Sequence, residues 1–178
     1  MAAAAEIGFL CEQYPLPATA KEAQAALKLC ERLAKTSVLV PDGQGGLVGK
    51  SGAATDLASF PVVWFHQGDH TRQGDPVYSA ATLAALHAHV RAGNGLFLSG
   101  AALAMVEHLG VEPVSPRCGG PGNDRAQAAL VPVVAKHPIF KGLQMAGGSA
   151  GISDAGHPAF ADFHASGGPA GGMLLART

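Results

Sequence analysis

Four short apolar runs, at residues 7–11, 37–40, 62–65 and 95–99, punctuate the first hundred residues and constrain the fold more than any other feature. Each is four or five residues long, too short for a buried helix and of ordinary strand length. The runs SVLV and VVWF show no alternation of polar and apolar residues, so both faces of those strands must be covered. In one chain that requires helices above and below a mainly parallel sheet.

The intervening stretches supply such helices. Thr19 begins a capping box with Glu22, the hydroxyl meeting the third amide and the carboxylate reaching back. Ala23, Ala26, Leu27, Cys30, Leu33 and Ala34 then repeat at three and four, giving one apolar face. A Gly-rich stretch, 42–55, reads as a mobile surface loop, and Asp56 to Phe60 as one helical turn ended by Pro61. From Ser79 the spacing of Leu83, Leu86 and Val90 is helical and Gly93 stops it. Ala101 to Leu109 reads as a short helix closed by Gly110. The predicted fold class is α/β, a flavodoxin-like three-layer sandwich with a mainly parallel sheet.

Beyond Val111 the pattern weakens. Cys118 to Asp124 reads as loop, Leu130 to Val134 as a strand, and His137 to Leu143 as a tight turn with apolar anchors. Residues 144–171 are mostly Gly, Ala, Ser and His, and Met173 to Ala176 reads as a last strand. The chain reads as a single domain over 1–178, cut short at Thr178 where a closing helix is expected.

Composition narrows the function. Ala accounts for 34 of the 178 residues, with 24 Gly and 12 Pro, so the core must come from the few apolar runs. No stretch reaches the length of a membrane span. A net charge of −1 without Lys/Arg clusters argues against nucleic acid as the partner. The three cysteines, Cys11, Cys30 and Cys118, form no CxxC pair, so neither a disulfide framework nor a thiolate zinc site is indicated. The first residues lack the charged segment of a signal peptide, and a soluble chain, cytoplasmic or secreted after loss of a leader, is expected.

Several motifs invite chemistry. Gly45 to Ser51 resembles a phosphate-binding loop, but the required first glycine falls on Gln44, and Gly52 and Pro61 leave no helix to follow. No cofactor is therefore expected. His66, Asp69, His70 and Asp75 are placed in one loop at the carboxyl end of a strand, the edge where open α/β sheets bind ligands. His66, Asp69 and His70 are the candidate catalytic residues, and His66, His70 and Asp75 the candidate ligands of a divalent metal. His87 and His89, two apart on a helix, point in different directions and read as surface residues. His108, His137, His157 and His164 are scattered. Cys11 faces the same crevice, without a nameable base. At the turn after the fourth run, Ser99 and Gly100 stand where a strand-to-helix elbow presents a nucleophile, and neither register matches Gly-x-Ser-x-Gly. The elbow reads as degenerate.

Three segments carry a resemblance: Phe60-Pro61-Val62-Val63-Trp64-Phe65-His66; Leu83 through Arg91-Ala92-Gly93-Asn94-Gly95-Leu96-Phe97-Leu98-Ser99-Gly100; and His137-Pro138-Ile139-Phe140-Lys141-Gly142-Leu143. In order and spacing they resemble the class I glutamine amidotransferase-like superfamily, and within it the trehalose-utilisation (ThuA-like) branch and related bacterial domains, over roughly residues 55–145. The resemblance implies a flavodoxin-like domain associated with carbohydrate-active proteins. Amidotransferases of this superfamily carry Cys at the elbow with a distant His and Glu; this chain has Ser99-Gly100 and no matching pair. The resemblance thus implies a non-catalytic accessory or binding domain for a sugar-like molecule, a sibling domain or copies of itself. The alternative is a small-carbohydrate hydrolase or isomerase using His66, Asp69 and His70.

Overall fold

The computed structural model describes residues 6–44, 46–68, 76–114, 129–151 and 169–177, which fall into two compact units, Met1–Val111 and Glu112–Thr178. In the first unit β1 (Glu6–Leu10), β2 (Lys35–Pro41), β3 (Leu47–Gly49), β4 (Val62–Gln67) and β5 (Gly95–Gly100) form one sheet in the order β3-β2-β1-β4-β5. β1 pairs in parallel with β2 and β4, and β4 with β5; β3 runs antiparallel to β2. The four parallel strands are the four apolar runs.

Alternation along each strand divides the core in two. Phe9, Cys11, Val38 and Trp64 pack on Ala26, Leu27 and Cys30 of α1 (Lys21–Leu33). Leu10, Leu39, Val63 and Phe65 pack with Leu86 of α2 (Ala80–Arg91) and Met105 of α3 (Met105–His108) in a separate cluster. Helices thus cover both faces of a mostly parallel five-stranded sheet, an α/β architecture compatible with a flavodoxin-like three-layer sandwich. Phe9, Leu10, Leu39, Val63 and Phe65 are wholly buried, each worth about 1.5–3 kcal/mol of hydrophobic stabilisation.

Local differences from expectation have local causes. α1 has Ala20 at its N-cap position with no side-chain cap, so the Thr19–Glu22 capping box does not form; the Thr19 carbonyl instead accepts from the Lys21 N–H at 2.9 Å. Leu33 lies off the buried stripe and is exposed. The Gly-rich stretch is no mere loop, because β3 closes a ribbon on β2, tied by Asp42 Oδ1 accepting from the Gly46 N–H at 2.9 Å. The expected turn is a 3-10 turn, Leu57–Ser59, whose first amides are met by Asp56. Helix α2 begins where the sequence suggests, and Ser79 caps it by accepting from the Thr82 N–H at 3.3 Å. Val90 faces outward on α2, and His89 takes the buried position. The short helix after β5 begins as a 3-10 turn, Ala101–Ala104, before α3.

In the second unit β6 (Ala129–Pro132) pairs antiparallel with β7 (Ala150–Gly151) and with β8 (Ala176–Arg177). The last strand is shorter and later than expected, Leu175 contributing only its carbonyl to Val133 N–H at 2.8 Å. The buried Glu112 carboxylate accepts from the amides of Ala170 and Gly171 at 2.7 and 3.0 Å. His137 caps the 3-10 turn Pro138–Phe140; Ile139 and Leu143 are exposed, while Phe140 is half-buried and meets the His137 ring edge-on, so the turn is held by backbone bonds with Phe140 as its one partly buried apolar anchor. Among the described residues no helix is long and apolar enough to cross a membrane.

Candidate functional site

The chain leaves β1 outward to β2 and then returns across β1 to β4 and β5, so its direction reverses between β1 and β4. Neighbouring crossovers there part to opposite faces and leave a crevice at the carboxyl ends of the strands. A cavity of about 450 Å³ occupies that place, lined by the β1 exit from Cys11 to Gln13, the start of α1 from Thr19 to Ala23, and His66, Gln67 and Gly68. Its volume lies in the usual range for small-molecule sites.

Gln67 organises the floor. It is only 3% exposed, yet its amide is satisfied at both ends: Nε2 donates to Glu12 Oε1 at 2.8 Å, and Oε1 accepts from the Tyr78 hydroxyl at 2.9 Å. Tyr78 belongs to the 3-10 turn Pro76–Tyr78 before α2 and packs edge-on against His108, ring centres 5.0 Å apart. A buried amide bonded in this way is rigid, so the Glu12 carboxylate is set at the cavity from the opposite face of the sheet.

His66 lies on β4 and not in the loop the sequence suggests, directly across from Ser99 on β5. Its Nδ1 is 2.8 Å from Ser99 Oγ, which also accepts from the Trp64 indole N–H at 2.9 Å. Nε2 is shielded from solvent and has no hydrogen-bond partner among the described residues. Burial lowers the imidazole pKa below its ordinary value, favouring the neutral ring.

Cys11 borders the cavity as expected, but burial, with the Glu12 carboxylate adding to it, pushes the thiol up to about 12. Its sulfur donates to the Leu39 carbonyl at 3.7 Å. A thiol held protonated in this way is not a nucleophile at neutral pH. Nor does Gly100, at the apex of the elbow, supply one. Gly100 turns the chain from β5 into the following turn with φ +64° and ψ −144°, and a Cβ there would lie 2.2 Å from the Gln67 carbonyl oxygen. The backbone makes the sharp turn, while the position at its apex has no room for a side chain.

Asp69, His70 and Asp75 lie outside the described residues, as do Cys118, His157 and His164. Of the expected catalytic and metal residues the structure therefore places only His66, and among the described residues no group of three potential metal ligands converges. His87 is exposed as expected; His89 is buried, one ring nitrogen 3.2 Å from the Gly95 carbonyl, because it falls on the inner stripe of α2. Lys50, in the loop that resembles a phosphate site, instead lies 3.8 Å from Glu31 and 5.0 Å from the centre of the Tyr14 ring. Glu12 and Gln67 escape a motif search because they are single residues 55 apart. Their one signal is that each follows an apolar run closely, at the ends of the two strands that flank the reversal.

Comparison with protein-family models, curated proteins and solved structures finds no match.

Proposed function

We propose that this chain is a binding or accessory domain of the glutamine amidotransferase-like type, close to the ThuA-like branch, that holds a small sugar-like molecule without transforming it. One observation carries the reading. The cavity at the strand reversal offers anchored polar groups, Glu12 and Gln67, beside a protonated Cys11 thiol and an elbow without a side chain at Gly100. Carboxylate and amide groups held rigidly recognise hydroxyls well, since their geometry is set before the ligand arrives.

The test is saturation-transfer NMR on the full chain with glucose, trehalose and sorbitol. At least one gives transfer signals, and Glu12→Gln weakens that binding about tenfold, the cost of losing one charged hydrogen-bond partner. None of the probes is consumed. Turnover of a saccharide by the wild-type chain, abolished by His66→Ala, would replace this reading with the hydrolytic one.

A further inference from the structure

The contacts around Ser99 decide which nitrogen of His66 carries the proton. An indole N–H can only donate, so the 2.9 Å contact from Trp64 consumes a lone pair of Ser99 Oγ and leaves the hydroxyl proton to find an acceptor. Among the described residues the one acceptor within reach is His66 Nδ1, at 2.8 Å. With Nδ1 accepting, the neutral ring carries its proton on Nε2, and one group in the set lacks a partner. If Nδ1 were protonated instead, the Ser99 proton and the Nε2 lone pair would both be stranded in a shielded place, and each buried unpaired polar group costs about 1–3 kcal/mol.

We propose that Trp64 and Ser99 are positioning residues that hold His66 as the Nε2–H tautomer, with Nδ1 kept as the acceptor of the Ser99 hydroxyl proton. A divalent cation is disfavoured at His66, since Nδ1 is engaged by Ser99 and the Nε2 lone pair is taken by the proton.

Long-range 1H–15N correlation spectra of the uniformly labelled full chain at about pH 7.5, where imidazole is neutral, test the assignment without any ligand. The expected spectrum has a pyridine-like Nδ1 and a pyrrole-like Nε2 for His66. Ser99→Ala brings the two nitrogens toward the averaged shifts of a mixed population, whereas Ser99→Thr, which keeps the hydroxyl, preserves the wild-type pattern. Zinc chloride added to the wild-type chain leaves the His66 resonances in place. A pyrrole-like Nδ1 in the wild-type spectrum overturns the proposal, and so does a shift of His66 on addition of zinc. The wild-type spectrum decides even if Ser99→Ala fails to fold. Absence of saccharide binding with the Nε2–H tautomer intact would remove the ligand reading and leave the assignment standing.

Discussion

Gly100 shows how one backbone position can fix what a site is able to do. Its left-handed φ and the closeness of the Gln67 carbonyl act together, so Gly100→Ala meets both strain and collision. The loss expected in denaturant unfolding is roughly 2–4 kcal/mol. Gly110 provides the comparison: its φ is +65° but nothing lies within 4 Å of the added Cβ, so Gly110→Ala should cost only the strain, about 1 kcal/mol. Equal losses at the two positions would mean that the collision at the elbow relaxes freely. His66 carries a second residue-level consequence. Its folded pKa lies below 6.5 through burial, so the unfolded chain binds the extra proton first. The associated stability is full above the unfolded pKa and is lost as pH falls through the folded value. Melting temperature should therefore drop between about pH 7 and about pH 5, and His66→Gln should flatten that drop. The Glu6 carboxyl, held low by its bonds to Lys35 and Ser37, acts in a separate window below its ordinary 4.5. A slope between pH 7 and 5 unchanged by His66→Gln would assign the effect to other groups.

At the scale of elements, helix α2 depends on a small polar knot at its start. Ser79 accepts from the Thr82 N–H and donates to Thr82 Oγ1 at 2.9 Å, and Thr82 is wholly buried. Ser79→Ala should cost about 1 kcal/mol in chemical denaturation, and an unchanged midpoint would show that the first turn of α2 is held by its packing alone. The start of α2 was legible in the sequence because a periodic run begins from Ser79, although the cap itself emerged only with the structure. The four parallel strands were legible for a related reason, since burial on both faces writes itself as a continuous apolar word. The failures share a cause as well. Thr19 has the right residue type for a cap, but the helix begins after Ala20, and nothing local in the sequence separates the two starts. β3 is three residues in a Gly-rich setting, and it exists through pairing with β2. His89 reads as a surface histidine until the inner stripe of α2 is known, and the Glu12–Gln67 bond joins residues that no local pattern relates. Of the candidate site, then, the sequence pointed to the carboxyl ends of the strands and to His66, which lies on β4 instead of in the loop after it. The partners that give His66 and Glu12 their chemistry became visible only through strand register and long-range contact.

Across the first unit as a whole, the two halves of the core share their strands. Val38 belongs to the α1 side and Leu39 to the opposite side, and the same division separates Phe9 from Leu10 and Trp64 from Phe65. Neighbouring residues of one backbone cannot leave one half without disturbing the other, so loss of α1 packing should be coupled to loss of the whole sheet. Cys11 and Cys30 report on this directly. Both are buried within the α1 half, and burial raises both thiols, that of Cys11 to about 12. In a Cys118→Ser chain, which removes the thiol outside the described residues, an aromatic disulfide reagent at about pH 8 should find no reactive group on the timescale of minutes, although a free thiol reacts readily there. In denaturant the same chain should release two equivalents. At intermediate denaturant the slow reaction of both thiols should follow the unfolding transition seen by Trp64 fluorescence, because α1 has no route to open alone. Reaction of Cys30 well before that transition, with the fluorescence still native, would show instead that α1 detaches as an independent unit and that the two halves of the core are only loosely joined.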